Sequence, residues 1–313
     1  MAELLMSAAQ IAVNPARWLE LRRQGITATD AATIMGVNPY DSPFALWHRK
    51  AGNLPEVPDN DRFRLARYLE GYCRERWCDR VGFDQSEVWV PGGLYRKGWQ
   101  LATPDYLILG RADPKSQVLA RAVLECKTVG SWDGWSPDTI PQHVRVQVLW
   151  QCAVLGVPVG HVAALHRQSG QFRSYLIEPQ ADDLWQITVG RCLDFWESLQ
   201  VRTPPPVDGA EATTAALRAL HPGADPGRTV FLDTALINMW EEFREYAAAH
   251  TANLEMAKNL VREAMGDAKY ARYIDEEGRE WRIAQRIQSK VQGYWVAPHE
   301  RDELRYGRKK AND

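Results

Sequence analysis

Three polar residues stand where the chain is otherwise apolar, and their types suit one kind of chemistry. Asp105 follows Thr103-Pro104 at the edge of a short apolar run, and Glu125 and Lys127 sit inside the next, Leu124-Glu125-Cys126-Lys127-Thr128. Side chains two apart on a strand point to one face. Glu125 and Lys127 therefore share a face, and the Cys126 side chain faces away. A carboxylate and an ammonium in an apolar strand are costly to bury unless they pair or bind something. If Asp105 approaches Glu125 from the neighbouring strand, the two carboxylates repel, and a divalent cation relieves the repulsion. Oxygen ligands with retained waters suit Mg²⁺, with Mn²⁺ as a substitute. Such an ion polarises a phosphodiester oxygen and lowers the pKa of a bound water. A lysine beside it orients that water or neutralises charge in the transition state. Each part alone has a plainer reading. An exposed E-x-K is a cross-strand ion pair, and an Asp after Pro is commonly a turn residue. The combination, in this order, is more specific.

The elements that must position these residues are legible in outline. Residues 15–51 read as mainly helical, with turn chemistry at Gly36-Val37-Asn38-Pro39 and a helix over 43–50 capped by Ser42. Arg62 to Val81 reads as a helix with Leu65, Leu69 and Tyr72 on its apolar face. Short apolar runs at 86–90, 99–102, 106–109 and 122–128 read as a strand meander. A helix over 141–155 carries Gln147, strands follow at 160–166 and 171–178 around Gln168-Ser169-Gly170, and a helix spans 181–199. Thr203-Pro204-Pro205-Pro206 cannot continue that helix, and 201–229 reads as a Pro-, Gly- and Ala-rich linker. Residues 230–313 read as a helical extension: a long helix over 232–266, with Leu236, Met239, Trp240, Phe243 and Tyr246 at helical spacing as a packing seam, then a strand near 281–287.

Bulk composition excludes several classes. The 38 basic and 40 acidic residues give a net charge of -2, so any nucleic acid must be held by a local basic surface. Arg62, Arg64, Arg67, Arg74, Arg76 and Arg80 could form one, although the plainer reading is a solvated helix face. Thirteen Trp and eleven Tyr are chiefly core material, with some available to stack on bases. The five cysteines form no CxxC pair, which predicts reduced thiols and no disulfide framework. Neither HxH nor HExxH is present, so no zinc site is expected. The chain shows no signal-peptide pattern and no membrane-spanning run, and a cytoplasmic location in a bacterial or phage-infected cell is expected.

Five blocks in order resemble the YqaJ group of phage recombinases, related to phage lambda exonuclease within the PD-(D/E)XK nuclease superfamily. They are Trp18-Leu-Glu-Leu-Arg22 through Gly25-Ile26-Thr27-Ala28-Thr29-Asp30, Gly36-Val37-Asn38-Pro39-Tyr40 and Leu46-Trp47; Leu69-Glu70-Gly71; Thr103-Pro104-Asp105; Leu124-Glu125-Cys126-Lys127-Thr128; and Val146-Gln147 with Gln151. The resemblance covers about residues 15 to 200. It departs from the family where Tyr106 follows Asp105 in place of the usual Gly, and where Thr29 replaces the more usual Ser.

The resemblance implies a restriction-endonuclease-like α/β core over 1–200, with a central mixed sheet flanked by helices. It implies Asp105 and Glu125 as metal-binding acids, Lys127 as the catalytic lysine, and Glu70 completing the acidic site directly or through water. The Cys126 backbone carbonyl is a further candidate ligand. Gln147 matches the glutamine on the helix packed over the site. Arg22 and Thr29, joined by Thr27, match residues that hold a terminal 5′-phosphate. The implied reaction is Mg²⁺-assisted digestion of linear double-stranded DNA from 5′ ends, leaving 3′ single strands. No iron–sulfur cluster is expected, because the clustered C-terminal cysteines it needs are absent. A single-strand annealing protein is the implied partner, and a homo-oligomer the implied assembly. An endonuclease with the same metal site, or a non-catalytic module retaining the fold, are the competing readings.

Overall fold

The structure, a computed structural model, describes residues 2–81, 88–109, 120–179, 184–223, 234–265, 270–274 and 280–285. In chain order the elements are β1 (Glu3–Met6), α1 (Ala8–Val13), α2 (Pro15–Arg23), α3 (Ala28–Ile34), α4 (Pro43–Lys50), α5 (Asp61–Val81), β2 (Val88–Pro91), β3 (Leu94–Lys97), β4 (Gln100–Ala102), β5 (Tyr106–Leu109), β6 (Ala120–Val129), α6 (Gln142–Leu155), β7 (Val159–His166), β8 (Phe172–Ile177), α7 (Leu184–Gln200), α8 (Glu211–Leu220), α9 (Thr234–Met265), β9 (Tyr270–Ile274) and β10 (Glu280–Gln285). The chain divides into two compact units, Met1–Pro222 and Gly223–Asp313. Among the described residues no helix is long and apolar enough to cross a membrane. The basic run Arg308-Lys309-Lys310 lies outside the described residues.

β6 is the centre of the first unit. Ala122 to Cys126 are buried without a break, the pattern of a strand covered on both faces. Its neighbours fall in the order β2-β5-β6-β7-β8. β5 pairs antiparallel on one side, and β7 pairs parallel on the other. A parallel partner requires a crossover, which α6 supplies. The result is the mixed sheet flanked by helices that the sequence implies. A smaller antiparallel sheet, β1-β3-β4, stands beside it, and neither β1 nor β3 was expected from the run pattern.

The two faces of β6 bury different helices. Leu124 and Cys126 pack with Cys73 and Trp77 of α5. Val123 packs with Val144, Val148, Leu149 and Cys152 of α6. Close approach of α6 requires Gly160 on β7, where an added Cβ would fall 2.1 Å from Val148 Cγ1. The buried face of α5 differs from the one expected. Leu65 and Tyr72 are exposed at 46% and 47%, while Cys73 and Trp77 are buried. A stripe of one small and one flat side chain fits the sheet, and counting apolar residues selected the solvent side.

Another departure lies in the stretch read as linker. Residues 211–220 form α8, part of the first unit. Its Ala216 packs with Phe44 and Ala45 of α4, supported by Ala212, Leu217 and Leu220. Thr213 donates to Ser42 Oγ at 2.7 Å, and Ser42 also caps α4 by accepting from Ala45 N–H. The alanines give the helix a narrow apolar stripe that the Pro- and Gly-rich flanks obscure. In the second unit α9 is accompanied by the antiparallel β9–β10 hairpin, so the extension is helix plus hairpin.

α3 is seated by a buried ion pair. Thr27 and Asp30 form a reciprocal capping box. Asp30 Oδ2 also meets Lys50 Nζ at 2.8 Å, and Lys50 donates to the carbonyls of Arg22 and Gly25. Burial would raise the Asp30 carboxyl, but Lys50, Arg22 and the Thr27 N–H outweigh it and hold it below the usual carboxylate range. Asp30→Asn keeps the cap and leaves Lys50 without its counter-charge. It is expected to cost about 3 kcal/mol, read by urea denaturation at neutral pH. Because the folded pKa is depressed, the stabilisation is complete above the unfolded value and fades as pH falls through the folded one. The wild type should therefore lose its advantage over Asp30→Asn in melts taken at successively lower pH below about 4.

Candidate active site

Alternation on β6 carries Glu125 and Lys127 onto the face that Val123 presents to α6. Helical spacing on α6 brings Gln147 and Gln151 over them, one turn apart. Lys127 Nζ donates to Glu125 Oε1 and to Gln147 Oε1, each at 2.7 Å. The other Glu125 oxygen, Oε2, accepts from Gln151 Nε2 at 2.8 Å. Glu125 is 7% exposed, and such burial is tolerable because both oxygens are engaged.

Asp105 enters from the start of β5, antiparallel to β6. Its Oδ2 accepts the Cys126 N–H at 2.6 Å. The Cys126 side chain lies on the opposite face, as expected, where Sγ donates to the Glu70 carbonyl at 3.7 Å. Gly92 fixes the approach of the Asp105 segment. Its N–H donates to the Asp105 carbonyl at 2.9 Å, and a Cβ there would stand 1.8 Å from the Pro104 carbonyl oxygen. Asp105 thus stands ahead of one strand, with Glu125-Cys126-Lys127 on the next, in the order the sequence implies.

Glu70 of α5 joins this group electrostatically. Burial first, and the Glu125 charge second, push its carboxyl up to about 7. Burial, then Glu125, then Glu70, hold Asp105 well above the usual range. Burial would lower the Lys127 pKa, but Glu125 and Asp105 outweigh it and keep the ammonium charged. Three carboxyls thus crowd one lysine, an arrangement that a cation would relieve.

The residues expected to hold a phosphate gather separately around the start of α3. Thr27 is 4% exposed, and its hydroxyl is used as the helix cap, accepting from Asp30 N–H at 3.3 Å. Thr29 is exposed. Arg22 lies over the Trp18 ring at 4.5 Å. Among the described residues no hydrogen bond or ion pair joins these three to the carboxylate cluster. The arginines of α5 are largely committed. Arg64 and Arg67 bind Asp59, and Arg74 binds Glu75 and covers the Trp89 ring at 3.7 Å.

Two residues near the cluster were not assigned a role from sequence: Gln151 and His143. The signal was present as His143, Gln147 and Gln151, spaced by four on an otherwise apolar helix. Burial first, then Lys127, lower the His143 pKa, which places the imidazole beside that lysine in its neutral form.

Gly92→Ala is expected to lower stability by about 1–3 kcal/mol, because the new Cβ meets backbone that cannot swing aside. Gly71→Ala is its control. An added Cβ there meets nothing within 4 Å, and the helix should gain about 0.5–1 kcal/mol. Urea denaturation of both variants separates local crowding from a general intolerance of substitution beside the site.

Residues 17–158 match the family described as YqaJ-like viral recombinase domain. A Bacillus subtilis (strain 168) protein, described as "Uncharacterized protein YqaJ", is 26% identical over 283 residues, spanning 87% of this chain and 85% of its own length. Among solved structures, the alkaline exonuclease LHK-Exo from Laribacter hongkongensis is similar with a TM-score of 0.46 and 18% identity, over 60% of this chain and 93% of that one. A phage related exonuclease from Haemophilus somnus 129PT is similar with a TM-score of 0.41 and 6% identity, over 58% of this chain and 96% of that one. The matched segment contains Glu70, Asp105, Glu125, Lys127 and Gln147, so the part of the chain that is similar to the YqaJ-like viral recombinase domain is the part that builds this site.

Proposed function

We propose that this chain is a metal-dependent deoxyribonuclease that digests linear double-stranded DNA from its 5′ ends and leaves 3′ single strands. The observation that carries the reading is the Lys127 ammonium, held at 2.7 Å by both Glu125 and Gln147 beside a second acid, Asp105. A structural ion pair has no need of further carboxyls whose pKa values burial and the Glu125 charge raise. The match of residues 17–158 to the YqaJ-like viral recombinase domain supports the nuclease reading.

The donor set fits Mg²⁺, with Mn²⁺ as a substitute. Among the described residues no group of three or more His, Cys, Asp and Glu is placed to hold a metal ion by itself. Mg²⁺ does not require one, since it is commonly bound by one or two carboxylates with waters and substrate phosphate oxygens. Asp105 and Glu125 would hold it, with the Cys126 carbonyl as a further oxygen and Glu70 acting through water. Bound there, the ion would supply charge to the scissile phosphate and acidify a water. The chain's own residues do the rest. Gln151 fixes the Glu125 carboxylate, Gln147 fixes the Lys127 ammonium, and Lys127 orients the attacking water or offsets charge developing on the phosphate. Arg22 and Thr29 would receive the terminal phosphate, with Thr27 shaping the turn that presents them. A 3′ single strand calls for an annealing protein as partner, and a homo-oligomer would hold the duplex while digestion proceeds.

Linear and closed circular duplexes, labelled at one 5′ end with or without phosphate, would be incubated with Mg²⁺ or EDTA. The wild type should degrade only linear DNA, only with metal, releasing the 5′ label first. Lys127→Ala should fall by at least about a hundredfold, the scale of losing one aligned electrostatic group. Cutting of the closed circle would make the protein an endonuclease. No cleavage by folded wild type on any substrate would leave a binding module.

A further inference from the structure

Tyr40, Arg62 and His143 come from three separate elements and meet beside the site. Tyr40 lies in the turn between α3 and α4 and is 69% exposed. It is nonetheless held in place. Its N–H donates to Asn38 Oδ1 at 3.1 Å, and Asn38 Nδ2 donates to Thr33 Oγ1 at 2.8 Å. The His143 ring meets it edge-on, with centroids 6.3 Å apart and planes at 86°. The Arg62 guanidinium stands over the ring, 5.2 Å from its centroid. His143 is one helical turn from Gln147, which binds the Lys127 ammonium.

A single exposed aromatic needs no explanation, but this one has company that a packing role does not require. Its turn is braced by two hydrogen bonds, a cation lies over its ring, and the residue is nonetheless largely exposed. Arg62 also differs from the arginines that follow it. Arg64 and Arg67 are tied to Asp59, whereas among the described residues Arg62 forms no ion pair and is exposed. A guanidinium so placed keeps its donor fork for a phosphate. A flat ring with an arginine beside it, next to a site for phosphodiesters, suits a nucleotide, base on the ring and phosphate on the cation. Stacking tolerates every base, since each has a π-face, which suits an enzyme that must consume any sequence.

We propose that Tyr40 is the stacking platform for the terminal base of the strand being hydrolysed, and that Arg62 holds that nucleotide's backbone phosphate. The proposal rests on the nuclease reading above, and its test is separated from hydrolysis. Binding would be measured in EDTA, with short duplexes carrying 2-aminopurine or an abasic residue at one terminal position, on either strand end. The proteins would be wild type, Tyr40→Ala, Tyr40→Phe and Arg62→Ala, with thermal melts to establish folding.

The wild type should alter the 2-aminopurine signal at one end. Tyr40→Ala should lose that change and bind about tenfold or more weakly, and Tyr40→Phe should restore both. Removing the terminal base should weaken the wild type about as much as Tyr40→Ala does, and weaken Tyr40→Ala no further. Arg62→Ala should weaken binding of intact and abasic ends alike. Unaltered binding by folded Tyr40→Ala overturns the proposal, as does an equal abasic penalty in wild type and Tyr40→Ala, or no binding of any end. If the wild type shows the stacking pattern but cleaves nothing in Mg²⁺, the nuclease reading fails while the platform stands.

Discussion

Lys127 and Glu125 bring two opposite charges into a strand covered by helices on both faces, and that placement constrains the whole first unit. Charges taken from water must find partners of good geometry, or their desolvation is not offset. The pair satisfies part of each group. Gln147 and Gln151 of α6 supply the rest. The crossover helix must therefore lie close over β6 with one particular stripe inward. Its seat is set from three sides: Gly160 opens space on β7, the small side chains of α3 pack against it, and Trp150 Nε1 donates to the Leu101 carbonyl at 2.9 Å. A neutral apolar pair at 125 and 127 would impose none of this register.

The carboxylates add a cost that the fold must carry elsewhere. Asp105 and Glu70 do not relieve the site; burial first, then the Glu125 charge, raises the pKa of both, and Glu70 adds to the rise at Asp105. Nothing in strand pairing or core packing requires them there. What holds Asp105 in place is largely backbone: the Cys126 N–H on its carboxylate and the Gly92 N–H on its carbonyl. Backbone donors on paired strands cannot turn away as a side chain can. An acid presented this way is positioned before any ligand arrives, which is what electrostatic catalysis requires.

The sequence was most readable where one regular element met one burial environment. The apolar run around Glu125 marks β6 as a strand, period-two alternation pairs Glu125 with Lys127, and Ser42-Pro43 marks the start of α4. It was less readable where burial depended on a partner surface. On α5, Leu65 and Tyr72 looked like the core face, but the sheet accepts Cys73 and Trp77. α8 has an alanine stripe too weak to stand out without the α4 surface it fits. Thr27 illustrates a different limit. Its residue type suited both a phosphate contact and a helix cap, and only the backbone geometry around Asp30 shows the cap in use. His143 was visible as part of a spacing of four, but its neighbour Tyr40 comes from a turn far away in sequence.

The arginines of α5 bear on how such a site would find its substrate. Six arginines in one helix suggest a phosphate track, yet Asp59, Asp61, Glu75 and Asp79 take up Arg64, Arg67, Arg74 and Arg76. The six arginines over residues 59–81 are thus nearly balanced by five carboxylates, Asp59, Asp61, Glu70, Glu75 and Asp79. A surface neutralised in this way gives little long-range attraction for a polyanion. Recognition has to come from short-range features that act only when a strand is already at the rim: an uncommitted guanidinium, an exposed aromatic ring, and the acids with their lysine behind them. Short-range features of that kind favour a chain end over a continuous duplex, because only an end can offer an unstacked base and a terminal phosphate together.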